Sequence, residues 1–212
     1  MNASTERVQI DGPAGPIECA IDTPADGTPP RGTAVLCHPH PLHGGTMDNK
    51  VVMTLARTFV QLGLRSVRFN FRGIGGSAGA WDAGRGEVDD ALAVVAAQRL
   101  PALPLVIGGF SFGGYVATQA AARLAEQGDS ARASRLVLIA PAAGNFTLAP
   151  VPADTLVVHG EVDDVVPLSA VLAWARPQSL PITLVPGAGH FFHGQLTLLK
   201  QIVGAAFAAS FR

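Results

Sequence analysis

The ten residues LVIGGFSFGG, at positions 105–114, combine a short apolar run with a glycine-rich turn around Ser111. An apolar run followed by an alanine-rich segment predicts a buried strand that leads directly into a helix. A sharp strand-to-helix turn of the pattern G-x-S-x-G needs small residues two positions before and after the serine, where Gly109 and Gly113 stand. We expect this turn to expose the Ser111 hydroxyl beside a helix N-terminus, which favours negative charge. The alternative, a serine that only caps the helix, explains the flanking pattern less well.

The same alternation of strand and helix continues on both sides of this turn. Gly and Pro between residues 8 and 22 predict an opening hairpin. Short strands that alternate with helices indicate right-handed crossovers, so we expect an α/β fold with a mostly parallel central sheet of about eight strands and helices on both faces. The hairpin adds the antiparallel part. We predict the remaining strands at 32–37, 66–71, 105–110, 135–139, 155–159 and 182–185, and the helices at 49–62, 87–99, 112–127, 168–175 and 195–207.

Length and composition restrict the class of protein. The 212 residues predict a single domain over positions 1–212, and 48% hydrophobic against 15% charged residues exclude a disordered chain. No apolar run reaches the length of a membrane span, so no membrane partner is expected. Residues 1–7 carry no signal-peptide pattern, which predicts a cytoplasmic location.

Charge and cysteine content add three expectations. A net charge of -1, with neither sign gathered in blocks, makes nucleic acid an unsuitable partner. The two cysteines, Cys19 and Cys37, lie in strand-like runs and are predicted to be free and buried, without a disulfide. We expect a monomer or a homodimer.

A serine hydroxyl becomes a good nucleophile only when a base removes its proton and a third group orients that base. The loop after the strand at 155–159 carries three acids, Glu161, Asp163 and Asp164. The strand at 182–185 is followed by a glycine turn and His190. Both segments come to the carboxyl edge of the sheet, where folds of this class place their reactive groups.

At this point the residues resemble the α/β-hydrolase superfamily, whose catalytic residues follow the chain order serine, acid, histidine. The resemblance implies Ser111, Asp163 and His190 as catalytic residues, with Asp163 preferred because it lies three residues after the glycine of HGEVD. Asp164 is then expected to be a solvated loop acid, and Glu161 is the third choice for the catalytic acid. His193 is expected to lie at the surface or at the start of a helix, and His159 to be hydrogen-bonded to backbone. The chain is most similar to short bacterial members related to dienelactone hydrolases, which use cysteine where this chain has Ser111. The stretch 141–154 is too short for a lid domain.

The resemblance also implies two backbone donors for the oxyanion. One is the N–H of Phe112. The other is the N–H of His40, because its neighbours in the loop 37–45 are prolines, which have none. The expected substrate pocket includes Leu42, Phe191 and Phe192. The whole pattern predicts a cofactor-independent serine hydrolase that cleaves a carboxylic ester or thioester of a small molecule.

Rival interpretations remain open. His38, His40 and His43 have the spacing H-x-H-x-x-H and could bind a metal, although no thiolate or carboxylate cluster joins them, and we expect no metal. Residues 73–78 fit G-x-G-x-x-A, yet no helix follows directly, so a dinucleotide site is disfavoured. Arg72 is expected to pair with Glu87 or Asp89, or to be solvated. A ligand-binding protein without turnover is the last alternative.

Overall fold

The fold is an eight-stranded sheet, and the computed structural model describes residues 5–25 and 27–210. The strand order is β1-β2-β4-β3-β5-β6-β7-β8. The antiparallel hairpin β1–β2 pairs antiparallel with β4, and β4, β3, β5, β6, β7 and β8 run parallel. The strands are β1 Thr5–Gly12, β2 Gly15–Asp22, β3 Thr33–Cys37, β4 Arg65–Phe69, β5 Leu105–Phe110, β6 Arg135–Ile139, β7 Leu156–Gly160 and β8 Thr183–Val185.

Helices cover both faces of the sheet. One apolar core lies between the sheet and α1 and α5, and the other between the sheet and α2, α3 and α4. Both faces of the inner parallel strands, from β4 to β7 in the sheet, are therefore largely buried, which explains their continuous apolar runs. The helices are α1 Lys50–Gln61, α2 Arg85–Gln98, α3 Phe112–Glu126, α4 Leu168–Ala175 and α5 Leu196–Phe207.

The predicted α/β class, the opening hairpin and the absence of a lid are confirmed. Residues 140–155, between β6 and β7, contain no helix. The predicted bounds of the elements at 105–110, 135–139 and 168–175 match the observed ones, and the others differ by at most three residues. The largest difference is at the hairpin, whose pairing starts at Thr5. That one domain covers 1–212 stays a prediction, since residues 1–4, 26, 211 and 212 lie outside the described residues.

Parallel strands bring their carboxyl ends to one edge of the sheet, and this edge carries the loops that follow β3, β5, β6, β7 and β8. Cys19 and Cys37 are both free and buried, and burial raises the pKa of each thiol, so neither is a reactive thiolate. Among the described residues no helix is both long and apolar enough to cross a bilayer.

Candidate active site

Ser111 lies in the turn between β5 and α3 with a strained backbone. Its φ of 56° and ψ of −119° lie in a region that side-chain-bearing residues rarely adopt. Two backbone hydrogen bonds hold the turn: the Ser111 N–H donates to Ile139 O at 2.9 Å, and Ser111 O accepts from the Ala142 N–H at 3.1 Å. The end of β6 therefore maintains the strain in the serine turn.

The glycines around Ser111 are required by close backbone crossings. A Cβ added at Gly109 would overlap the carbonyl group of Gly113, and one added at Gly113 would overlap that of Cys37 at the end of β3. The G-x-S-x-G spacing is therefore a packing requirement of this turn. The sequence prediction for the turn agrees with the structure in residue and geometry.

Asp163 and His190 form a buried hydrogen-bonded pair at the same edge. His190 Nδ1 lies 2.7 Å from Asp163 Oδ2, and Asp163 Oδ1 accepts from the N–H groups of Val165 and Val166 at 2.9 and 2.8 Å. Burial raises the pKa of the Asp163 carboxyl. The hydrogen bonds from His190, Val166 and Val165 and the charge of protonated His190 lower it by more, so the pKa lies below its ordinary value.

An ionised carboxylate only accepts hydrogen bonds, so the proton of neutral His190 resides on Nδ1. Its Nε2 is left with a free lone pair, as a general base requires. The imidazole is 3% exposed and packs on the Phe110 ring, with centroids 4.8 Å apart. Asp163 and Phe110 thus fix both the tautomer and the plane of His190.

Ser111 and His190 line one cavity of about 310 Å³, together with His40 and Phe112. The N–H groups of His40 and Phe112 find no hydrogen-bond acceptor within residues 5–25 and 27–210, and the first N–H groups of a helix such as α3 lack one by geometry. The Ser111 hydroxyl also makes no hydrogen bond within this part of the chain. In enzymes without substrate the contact between nucleophile and base is often loose.

The three predicted pocket residues, Leu42, Phe191 and Phe192, lie in different places in the structure. Phe191 lines the cavity, but the prediction was wrong for Phe192, which is fully buried in the core beside α5. Phe192 has a φ of 51° and donates its N–H to Gly189 O, so the turn points consecutive phenylalanines in different directions. Leu42 is 65% exposed and lies outside the cavity lining, because its 3₁₀ turn directs it to solvent.

His38 cannot act as a metal ligand in this fold. Its Nδ1 donates to Pro39 O at 2.6 Å and its Nε2 accepts from the Phe71 N–H at 3.1 Å, so both ring nitrogens are occupied. Burial lowers the pKa of His38 to about 4. In the chain segments that the structure describes, no three His, Cys, Asp or Glu side chains are grouped to hold a metal ion.

The expected pairing of Arg72 with Glu87 or Asp89 was wrong. Arg72 forms a two-point ion pair with Asp90, with nitrogen–oxygen distances of 3.0 and 2.7 Å. Asp90 is buried toward the Arg72 loop on α2, whereas Asp89 faces α3 and pairs with Arg123. Glu87 instead accepts the N–H groups of Asp82 and Gly84, just before the start of α2.

The glycine-rich segment 73–78 does not form a dinucleotide cradle. The Gly76 N–H donates to Glu18 Oε2 at 2.8 Å, so an acid already occupies the turn, and α2 begins only at Arg85. The loop joins the opening hairpin to the carboxyl edge of the sheet. Its role is structural.

Several residues that line the cavity were not predicted from the sequence, among them Asn145, Phe146 and Val165. Asn145 and Phe146 belong to the tight loop after β6, and Val165 belongs to the acid loop. Asn145 and Phe146 follow a strand of the parallel sheet, and this position in the sequence is the signal that could have predicted them as site residues. A larger open groove, of about 1230 Å³, lies near the amino ends of β5 and β6 and is lined by parts of α2 and α3, away from Ser111.

Comparisons with known proteins agree with this geometry. The family model described as serine aminopeptidase, S33, matches residues 28–149, more than half of the chain. The chain belongs to this family. It is therefore a serine hydrolase of the α/β-hydrolase superfamily, as its resemblance predicted, and hydrolase activity is supported.

Similar proteins come from several bacteria. An uncharacterized protein of Rickettsia prowazekii is 34% identical over 203 residues, which cover 88% of this chain and 82% of that protein. A lidless α/β serine hydrolase of Xanthomonas campestris is 39% identical with a TM-score of 0.87 over 100% of this chain and 97% of that one. An α/β serine hydrolase homologue of Coxiella burnetii is 37% identical, with a TM-score of 0.79 and coverage of 97% and 98%. The lidless architecture is thus shared with a relative along the whole chain.

Proposed function

We propose that the protein hydrolyses carboxylic esters, with thioesters as chemically close substrates, through an acyl-enzyme on Ser111. One arrangement carries the proposal: the strained Ser111 and the Asp163-bound His190 line the same cavity. Strain at a strand-to-helix turn and a base with a fixed tautomer are what nucleophilic catalysis by serine requires.

The geometry supports the following sequence of steps. His190 Nε2 removes the Ser111 proton as Oγ attacks the ester carbonyl, and the resulting oxyanion accepts hydrogen bonds from the N–H groups of Phe112 and His40. The C–O bond then breaks, and the leaving alcohol takes the proton from His190. A water molecule attacks the acyl-enzyme with His190 again as base, which releases the acid and restores Ser111. Asp163 stabilises the imidazolium throughout.

Active-site labelling tests the nucleophile. A fluorophosphonate probe should label Ser111 stoichiometrically, as shown by mass spectrometry of the modified peptide. Ser111→Ala should abolish labelling and lower kcat/KM on short p-nitrophenyl esters by about 10⁴-fold or more, because the nucleophile is removed. Ser169→Ala is the matched control, since Ser169 lies exposed on α4 and should leave both readouts unchanged.

The outcomes separate the alternatives. Folded wild-type protein that stays unlabelled and inactive, but binds ligands equally with and without Ser111→Ala, would indicate a binding protein. Activity that disappears with exhaustive chelation and returns with an added metal ion would favour metal-assisted hydrolysis. Either result overturns the proposed acyl-enzyme.

A further inference from the structure

The cavity beside Ser111 has a wall of uncharged groups. Its lining consists of aromatic rings, small aliphatic side chains, backbone and imidazole or carboxamide groups, including Phe112, Phe146, Phe191 and Asn145. Its volume of about 310 Å³ is at the lower end of the range for small-molecule sites. Such a space suits a short acyl chain.

The back of the cavity is a packed group of aromatic rings. The Phe112 centroid lies 5.1 Å from that of Phe146, 5.1 Å from Trp81 and 5.2 Å from His40. Tyr115 stacks on Phe146, with centroids 4.8 Å apart. Rings that brace one another in this way form a rigid apolar surface.

Two carboxylates of this edge, Asp163 and Glu161, are already occupied, and Asp164 is exposed to solvent outside the cavity lining. Asp163 accepts hydrogen bonds from His190, Val165 and Val166 and lies behind the imidazole. Glu161 Oε2 accepts the Gly187 N–H at 2.8 Å, which joins the acid loop to the histidine loop. These two acids hold loops in place and have hydrogen-bond partners of their own.

The imidazole of His40 adds no charge to the wall near neutral pH. Its burial and the neighbouring His43 lower the pKa of His40 below the ordinary value. The two rings touch edge to face, with centroids 4.6 Å apart. A positive charge on His43 therefore opposes protonation of His40.

We propose that this site, if it works as the acyl-serine site described above, selects short acyl groups without a charge. An ammonium or carboxylate on the acyl chain would lose water against an apolar wall and meet no ion-pair partner there. The family description names an aminopeptidase, whose substrates carry an α-ammonium group. This chain takes neutral esters instead.

The test compares isosteric methyl esters at pH 7, with released acid measured by pH-stat. Methyl butanoate is matched to methyl 3-aminopropanoate, and methyl 4-methylpentanoate to monomethyl succinate, so that each pair differs only in charge. We expect each neutral ester to have a kcat/KM at least about tenfold above that of its charged partner. A charged ester that matches or exceeds its neutral partner overturns the inference.

A charge placed on the wall should change this preference. Asn145→Asp keeps the shape of the side chain and adds a carboxylate that faces the cavity, so the ratio of cationic to neutral kcat/KM should rise at least threefold and the anionic ratio should fall. Thr147→Asp, on the exposed part of the same loop, adds the same charge outside the lining and should have a smaller effect. Equal ratios in wild type and Asn145→Asp would contradict the inference.

The two proposals fail in different ways. Labelled Ser111 and Ser111-dependent hydrolysis of a charged ester in preference to its neutral partner would leave the proposed function intact and overturn only the inference. Labelled protein that hydrolyses none of the four esters would also overturn only the inference, since short neutral esters are the substrates that it predicts. Absence of labelling on folded protein removes the proposed function.

Discussion

A single carboxylate oxygen, Asp163 Oδ2, lies between two imidazoles. His190 Nδ1 is 2.7 Å away and His159 Nε2 is 3.7 Å away. His159 is fully buried at the end of β7, and its Nε2 donates to Val166 O at 3.0 Å. Because that bond closes the loop that carries Asp163, we infer that His159 positions Asp163.

The other nitrogen of His159 strengthens this interpretation. Nδ1 is buried and has no hydrogen-bond partner among the described residues, and such a group reduces the free energy of unfolding by about 1–3 kcal/mol. Burial also lowers the pKa of His159, so the ring stays neutral beside the acid. An apolar residue would avoid this cost. What the histidine provides is the donor at Nε2.

We therefore predict that His159→Leu lowers kcat about tenfold with little change in KM, because the acid loop loses its bond to Val166 and Asp163 shifts. His159→Gln should recover most of kcat, since the glutamine amide reaches the position of Nε2. Steady-state kinetics and the downfield proton NMR signal of His190 Nδ1–H are the measurements. That signal should weaken in His159→Leu and persist in His159→Gln.

Thr155→Val is the control for simple destabilisation near β7. Thr155 is buried, and its hydroxyl also lacks a partner in the described chain, but it lies at the other end of the strand. Its removal should leave kcat and the NMR signal unchanged. Wild-type kcat in His159→Leu would show that the acid needs no support from this residue.

At the scale of elements, His38 joins the ends of β3 and β4. Its ring donates to Pro39 O, accepts from the Phe71 N–H and packs on the Phe71 ring with centroids 4.5 Å apart. These contacts hold the loop with His40 beside the end of β4. Only the neutral ring makes both hydrogen bonds.

This requirement gives a pH-dependent stability. In the folded protein burial lowers the pKa of His38 from 6.5 to about 4. Above pH 6.5 neither state binds the proton. As the pH falls from 6.5 to 4, the unfolded chain binds it and the folded protein does not, so the free energy of unfolding decreases by about 3 kcal/mol.

Urea unfolding at several pH values measures this effect. His38→Gln should be less stable at pH 7 but should lose about 3 kcal/mol less between pH 6.5 and pH 4, since it cannot titrate. The exposed His193→Gln should keep the wild-type pH dependence. If the free energy of unfolding changed equally with pH in wild type and in His38→Gln, His38 would not be the group responsible for the pH dependence.

The elements were predictable from sequence because their signals are local. The apolar run before Ser111, the glycine spacing and the order of strands and helices gave the fold and the edge that carries the site. Directions of side chains within loops were not predictable in this way. Phe192 turns into the core through a positive φ, and Leu42 leaves the cavity through a 3₁₀ turn. Phe192 packs there in the core beside α5, a contact that no pattern within its own loop shows.

The pairing of charged side chains shows the same limit. The acids of α2 lie close to Arg72 in the sequence, so the sequence limits the ion-pair partner of Arg72 to an acid of this helix. The choice of Asp90 over Asp89 depends on the rotation of α2 against α3, where Arg123 binds Asp89. Helix rotation is set by packing of the whole core, which no single segment encodes.

For the whole molecule, the segment between β6 and β7 determines access to the site. It is fixed to α3 and to the α4 region along its length: Gln119 donates to Thr147 O, the Ala149 N–H to Thr118 Oγ1, and Trp174 Nε1 to Ala149 O. The Ala142 N–H donates to Ser111 O at its start. A segment anchored in this way cannot swing over the cavity as a lid does.

Access to the cavity therefore needs no opening step, and we predict no interfacial activation. The rate on a short ester should follow a single hyperbola through the concentration at which the substrate begins to form aggregates, because closure by a lid is what produces a jump there. Initial rates on p-nitrophenyl butanoate and tributyrin, beside a lidded lipase as reference, make the measurement. An abrupt rise above the solubility limit would mean that part of the structure does close the site in solution, and the fixed segment 140–155 would then have to release its hydrogen bonds to α3.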